Sequence, residues 1–163
     1  MVSQSGWTPE QSGRMRVKVR AVIVYQGRLL VVPERRLGAH SHLTLPGGRI
    51  GRWESVSEAL VREVREETGL DVAMGPLLYV AEVTPPRGDQ DLNLIFLAEP
   101  IGERSVSHLA FVDLAHDDHP LVLPPIVEEI ARDLEQVWEH TPRWLGNVWD
   151  ESFDQPLHDE RIS

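Results

Sequence analysis

Five carboxylates, Glu54, Glu58, Glu63, Glu66 and Glu67, fall within one short segment, GGRIGRWESVSEALVREVREETGL, residues 47–70. Ser55 followed by Glu58 has the spacing of a capping box, and Gly69 supplies the left-handed residue that commonly ends a helix. The segment therefore predicts a helix over 56–68 with a loop at each end. Such a cap is worth about 1 kcal/mol. At about 100° per residue with Val56 at zero, Leu60 falls at about 40°, Val64 at about 80° and Ala59 at about 300°. On the same scale Glu67 falls at about 20° and Glu63 at about 340°, inside the apolar arc, and Glu66 borders it at about 280°. Arg65 and Glu58, at about 180° and about 200°, mark the wet face.

Ion pairing is the first reading. Glu58–Arg62 and Arg62–Glu66 are both i, i+4 pairs, a spacing that lets side chains meet on a helix surface. That accounts for Arg62 and Glu58. It leaves Glu63 and Glu67 unexplained, because an uncompensated carboxylate in a partly buried position costs several kcal/mol. A cation should compensate them, and hard oxygen ligands at i, i+3 and i+4 suit Mg²⁺ or Mn²⁺. A metal site is the reading this face favours.

The elements around the helix read as follows. MRVKVRAVIVY alternates apolar and basic residues before becoming continuously apolar, as a strand entering a core does. Gln26-Gly27 forms a tight turn into the strand RLLVVP. ERRLGAHSH is a loop, and LTLP is a short strand ending at Gly47-Gly48. PLLYVAEVT, LNLIFLAE and HLAFVDL are further strands, and Pro124-Pro125 opens a second helix with Ile126, Ile130, Leu134 and Val137 on its buried stripe. Strands interleaved with two helices give an α/β domain with a mixed sheet. Residues 1–13 read as a flexible arm and 14–140 as the domain. Residues 141–163 read as a tail packing on the domain or on a partner subunit, so a homodimer is one expectation.

Composition narrows the class. The 163 residues carry a net charge of −10, with no cysteine. Disulfides, thiolate metal sites and cysteine nucleophiles are thereby excluded. Residues 1–53 hold nine Lys/Arg against two acids, and the remainder seven against twenty-four. The split fits a site with cationic walls on one side and metal-binding acids on the other. Overall acidity disfavours duplex nucleic acid, whose backbone needs a basic face. No apolar run approaches a membrane span of about 20 residues, and the N-terminus has no secretory h-region. The expectation is a cytoplasmic protein.

The carboxylate segment also resembles the Nudix hydrolase family, whose box is G-x5-E-x7-R-E-U-x-E-E-x-G-U with U a bulky aliphatic residue. Gly48, Glu54, Arg62, Glu63, Val64, Glu66, Glu67, Gly69 and Leu70 fill all nine constrained positions over 23 residues. The resemblance implies an α/β/α sandwich with a mixed sheet and a loop–helix–loop that binds divalent metal at the diphosphate of a substrate. It implies Glu63, Glu66 and Glu67 as metal ligands, with a backbone carbonyl of Gly47 or Gly48 added. Arg62 would orient a neighbouring glutamate, and Glu54 would support that arrangement or touch a metal. Trp53 stands where many members carry glycine, which makes the loop bulkier.

The reaction implied is Mg²⁺-dependent hydrolysis of a nucleoside diphosphate linked to another group, with Mn²⁺ as a substitute. Arg35, Arg36 and Arg49 are the substrate-binding candidates. The base is Glu66, Glu67 or a later acid among Asp89, Asp91, Asp117 and Asp118. Pro85, fifteen residues after Leu70, resembles the ADP-ribose pyrophosphatase subgroup, so ADP-ribose or a related nucleotide sugar leads. Nucleoside triphosphate clean-up is the alternative, and a non-catalytic nucleotide sensor the second. Isopentenyl diphosphate isomerase, which shares the fold, relies on a cysteine that this chain lacks.

Overall fold

The computed structural model describes residues 13–34, 42–85, 88–102, 105–116, 118–135 and 142–149. Its strands are β1 (Met15–Val22), β2 (Val24–Tyr25), β3 (Arg28–Glu34), β4 (His42–Thr44), β5 (Gly47–Arg49), β6 (Val72–Val83), β7 (Gln90–Pro100), β8 (Ala110–Asp113), β9 (Val122–Leu123) and β10 (Arg143–Asn147). The helices are α1 (Val56–Thr68), between β5 and β6, and α2 (Val127–Glu135), between β9 and β10.

A main sheet runs in the order β10-β6-β7-β1-β5. It is mixed: β1 lies parallel to β7 and β10 parallel to β6, while β6–β7 and β1–β5 are antiparallel. A second sheet, β2-β3-β4-β9, carries β8 on β3. The alternation in β1 divides the core. Val19 and Ala21 cluster with Ala59, Leu60 and Val64 of α1. The opposite face of the main sheet, with Tyr79, Ala81 and Ile95, meets Leu29, Val31 and Leu43 of the second sheet and Ile130 of α2. The result is the α/β domain with a mixed sheet that the pattern predicts, layered as the sandwich that the family resemblance implies.

The helix α1 has the predicted bounds and cap. Ser55 accepts from the Glu58 backbone, the Glu58 side chain returns to the Ser55 backbone, and Gly69 sits left-handed at φ 74°. Gln26 and Gly27 both have positive φ, as a primed hairpin turn requires. Three strands are absent from the sequence reading: β5, which pairs with β1 where a loop was expected, and β9 and β10. The two residues of β9 are a strand only because Leu43 and Thr44 pair with them. Within 141–163, read above as a tail, Arg143–Asn147 pair with Tyr79–Glu82 as an edge strand. Arg143 donates to Asp133 at 2.7 Å, and Tyr79 donates to the same carboxylate at 2.6 Å, so this strand is tied to α2 as well as to β6. Val137 lies outside the described residues.

Candidate functional site

The glutamates of α1 meet the short strand β5 at the edge of the main sheet. Register places Gly48 opposite Val19 and Gly47 opposite Arg20. Gly48 thus faces α1, and a Cβ there would lie 2.5–2.6 Å from the Glu63 carboxylate. Only hydrogen fits. Gly47 has φ 137°, and its N–H donates to Glu67 at 2.8 Å. Its carbonyl accepts from Arg20 Nη1 at 2.9 Å, as does that of Leu45. One buried guanidinium therefore pins the loop that presents an N–H to Glu67.

Arg62 organises the remaining carboxylates. It donates to Glu54 at 2.7 and 2.9 Å, to Glu63 at 2.9 Å, to Glu66 at 3.4 Å and to the Arg49 carbonyl at 3.1 Å. Its guanidinium and the Gly51 N–H hold the Glu54 carboxyl down at about 2, and Glu54 in turn raises the pKa of Arg62. The helical-wheel expectation is met unevenly. Glu63 is 17% exposed, whereas Glu66 is 60% exposed and Glu67 also stands on the exposed side while reaching back to Gly47. Among the described residues no three acidic or histidine side chains already form a metal cage.

Across the β5 edge, on the face opposite α1, lies a polar row that the sequence reading did not assemble. Arg49 of β5 is in register with Lys18 of β1, Lys18 with Asn93 of β7, and Asn93 with Ala81 of β6. One row along, Arg16 pairs with Asp91, which accepts from Arg16 at 2.6 Å and from Lys18 at 2.9 Å. Burial pushes the Asp91 carboxyl up, but those two cations outweigh it and hold the pKa below the ordinary value. Lys18, Arg20, Asp91 and Asn93 are all buried. The next row inward sets the buried Arg20 beside Ile95 and Tyr79.

The predicted site residues fall into three groups. Glu54, Arg62, Glu63, Glu66 and Glu67 with Gly47 and Gly48 come together at the sheet edge. Arg49 stands exposed beside them, with no side-chain partner among the described residues, and it begins the polar row. Arg35, Arg36 and Asp117 lie outside the described residues. Asp89 accepts from the Arg14 backbone and pairs with Arg16 at 3.1 Å, so both it and Asp91 are engaged with cations.

A profile of the NUDIX domain matches residues 15–152. The chain belongs to the Nudix family. Its domain is 42% identical over 74 residues to an 8-oxo-dGDP phosphatase of Danio rerio, covering 45% of this chain and 22% of that protein. It is 33% identical over 88 residues to an ADP-ribose pyrophosphatase of Methanocaldococcus jannaschii, covering 53% and 52% respectively. The chain thus spans about half or less of the length of these curated relatives. Among solved structures, a MutT Nudix hydrolase from Burkholderia pseudomallei superposes with a TM-score of 0.59 at 32% identity, over 76% of this chain and 98% of that one. The Nudix match includes β10, so the profile reaches past residue 140. No described helix is long and apolar enough to cross a membrane.

The signal for the missed row lay in MRVKVRAV, whose Arg16, Lys18 and Arg20 alternate with Val17, Val19 and Ala21. The alternation marks a basic strand face. It does not say that residues about 75 positions away complete that face.

Proposed function

We propose that this chain hydrolyses nucleoside diphosphates linked to a further group, with Mg²⁺ as cofactor and ADP-ribose or a related nucleotide sugar as the leading substrate. The observation that carries the reading is the Glu63 carboxylate lodged against Gly48 and fixed by Arg62, with Glu67 held on the neighbouring Gly47 N–H.

The residues suit a hard divalent cation. All the donors are oxygen, and the missing Cβ of Gly48 leaves Glu63 room at the sheet edge. Mg²⁺ keeps several waters and binds through one or two carboxylates plus substrate phosphate, so it needs no preformed cage. Glu63 and Glu67, joined by Glu66, would hold it; the Gly47 carbonyl, already on Arg20, has a second lone pair to offer. When bound, the cation neutralises diphosphate charge and polarises the phosphorus–oxygen bonds.

The other roles belong to the chain. Arg62 keeps Glu63 oriented and is itself braced by Glu54. Arg49 meets phosphate from the opposite side of the edge. The proton of the attacking water passes to Glu66 or Glu67, which solvent reaches. Asp91 is a poor base, because Arg16 and Lys18 stabilise it as an anion. Attack at phosphorus converts ADP-ribose and water into AMP and ribose phosphate.

A second reading rests on the 42% identity to the zebrafish phosphatase, with an oxidised deoxyguanosine diphosphate as substrate and inorganic phosphate as product. A third is pool cleansing of nucleoside triphosphates. Product analysis with Mg²⁺ separates them: AMP with ribose phosphate supports the first, monophosphate with inorganic phosphate the second, and monophosphate with pyrophosphate the third. A folded, metal-binding protein that releases no product from any of them sinks the hydrolase reading in favour of a nucleotide sensor.

A further inference from the structure

We propose that the groove between Trp53 and the solvent face of α1 seats the nucleobase of the substrate, stacked on the indole. The inference rests on the nucleotide-hydrolase reading above and assigns the base subsite of that same centre.

Trp53 is the third residue of a tight turn, Gly51–Glu54, closed by the Glu54 N–H on the Gly51 carbonyl at 3.3 Å. Its φ is 65°, in the left-handed region that glycine occupies without strain and a bulky side chain does not. Burial could offset that strain, yet Trp53 is 95% exposed. Among the described residues its ring stacks on no other ring and its N–H has no acceptor. Glycine at 53 would relax the backbone and give up little burial. The indole brings no stabilisation to the described fold, so its use lies in what it meets from outside.

The turn also holds the ring still. Glu54 accepts from the Gly51 N–H at 2.7 Å and from Arg62 at 2.7 and 2.9 Å, and the same Arg62 donates to Glu63. Trp53 is thereby fixed relative to the carboxylates of α1.

Beside the ring runs a groove of about 760 Å³, a volume within the range of small-molecule sites. Val61 and Arg65, one turn apart on α1, line it together with Arg52 and Glu66. Glu66 belongs to the carboxylates that take the metal and diphosphate, so a group attached to that diphosphate can reach the groove. Three arginines and three glutamates line it, which leaves it without net charge. A further phosphate gains little there, whereas a neutral flat ring gains an indole to stack on and Val61 to cover. Arg52 is exposed and has no partner among the described residues. Its guanidinium offers donors to the acceptor atoms on a base's edge.

The test compares the full chain with Trp53→Gly and Trp53→Phe in the presence of Mg²⁺. It uses steady-state kinetics on the preferred substrate, calorimetric binding of AMP, GMP and ribose 5-phosphate, and light scattering. Trp53→Gly is expected to raise KM roughly 5–100-fold with kcat little changed, because base–aromatic stacking is lost from ground and transition states alike. The better-bound monophosphate should weaken by a similar factor, and ribose 5-phosphate should be unaffected. Tm should hold or rise, since glycine suits the backbone at 53. Trp53→Phe keeps a ring at the same position and should recover most of the lost affinity. KM and monophosphate affinity unchanged in Trp53→Gly overturn the proposal, and so does a Trp53→Phe protein as weak as Trp53→Gly. Equal weakening of ribose 5-phosphate overturns the base assignment in favour of the sugar. A dimer that Trp53→Gly converts to monomer, with affinity intact, makes the groove an interface between copies instead. A wild type with no turnover overturns the proposed function, and the monophosphate titrations still decide Trp53. Weakening in Trp53→Gly then keeps the base site; no difference, or no binding by the wild type, removes it.

Discussion

The two faces of the β5 edge are built in opposite ways. On the α1 side, Glu54, Arg62, Glu63, Glu66 and Glu67 come from fourteen consecutive residues, and Arg62 binds partners within eight positions of itself along that stretch. On the far side, Lys18 and Asp91 meet across a parallel strand pair, with 75 positions between Arg16 and its partner Asp91. The first site is written in one motif and the second is assembled by strand register. Chemistry that must keep fixed geometry uses the local arrangement.

The largest expected effect tests the local side. Glu67→Gln should lower kcat by roughly 10²–10⁴-fold while circular dichroism reports an unchanged fold; wild-type turnover at saturating Mg²⁺ would sink the assignment. Gly48→Ala comes next. Its Cβ would intrude on Glu63, and a shift of about 1 Å at such a group costs about 10²-fold in rate. Alanine here should therefore depress kcat far more than it depresses the urea midpoint.

Arg20→Met spans the two sides. It leaves the Leu45 and Gly47 carbonyls without their donor, at a cost of about 2 kcal/mol in urea unfolding. It should also loosen the loop behind Glu67 enough to lower kcat by about tenfold. A stability loss with full activity would separate the faces that Arg20 is held to join.

The smallest effect is a pH dependence on the side assembled by strand register. The folded pKa of Asp91 lies below its ordinary 3.8, through Arg16 and Lys18 against the opposing effect of burial. The unfolded chain then binds the proton more readily. The stabilisation is fully present above 3.8 and is lost as pH falls through the lower folded value. Asp91→Asn should flatten that part of the stability profile, measured as urea midpoints through the acid range. An equal slope in both proteins would remove Asp91 as its source.

The same contrast decides what the sequence could reveal. The bounds of α1 follow from Ser55, Glu58 and Gly69, because capping is a contact among near neighbours. The wheel positions of Glu63 and Glu67 are legible for the same reason. Their exposure is not, since it depends on how far α1 projects past β5. Strand β9 has two residues and no pattern of its own, and β10 reads as tail because a register shift between Trp144 and Gly146 breaks its alternation. Asn93 was invisible as part of the polar row. In LNLIFLAE it looks like one polar position in an ordinary strand, and only its neighbours Lys18 and Ala81 give it meaning.

The parallel union of β1 with β7 also sets a schedule for synthesis. Residues 15–22 leave the ribosome long before residues 90–97, to which they pair. At about 5–20 residues per second the interval is roughly 4–15 s. During it the capped helix can form, but β1 lacks its central neighbour and the polar row has no Asn93. The nascent chain thus carries its acidic motif well ahead of the sheet against which that motif packs.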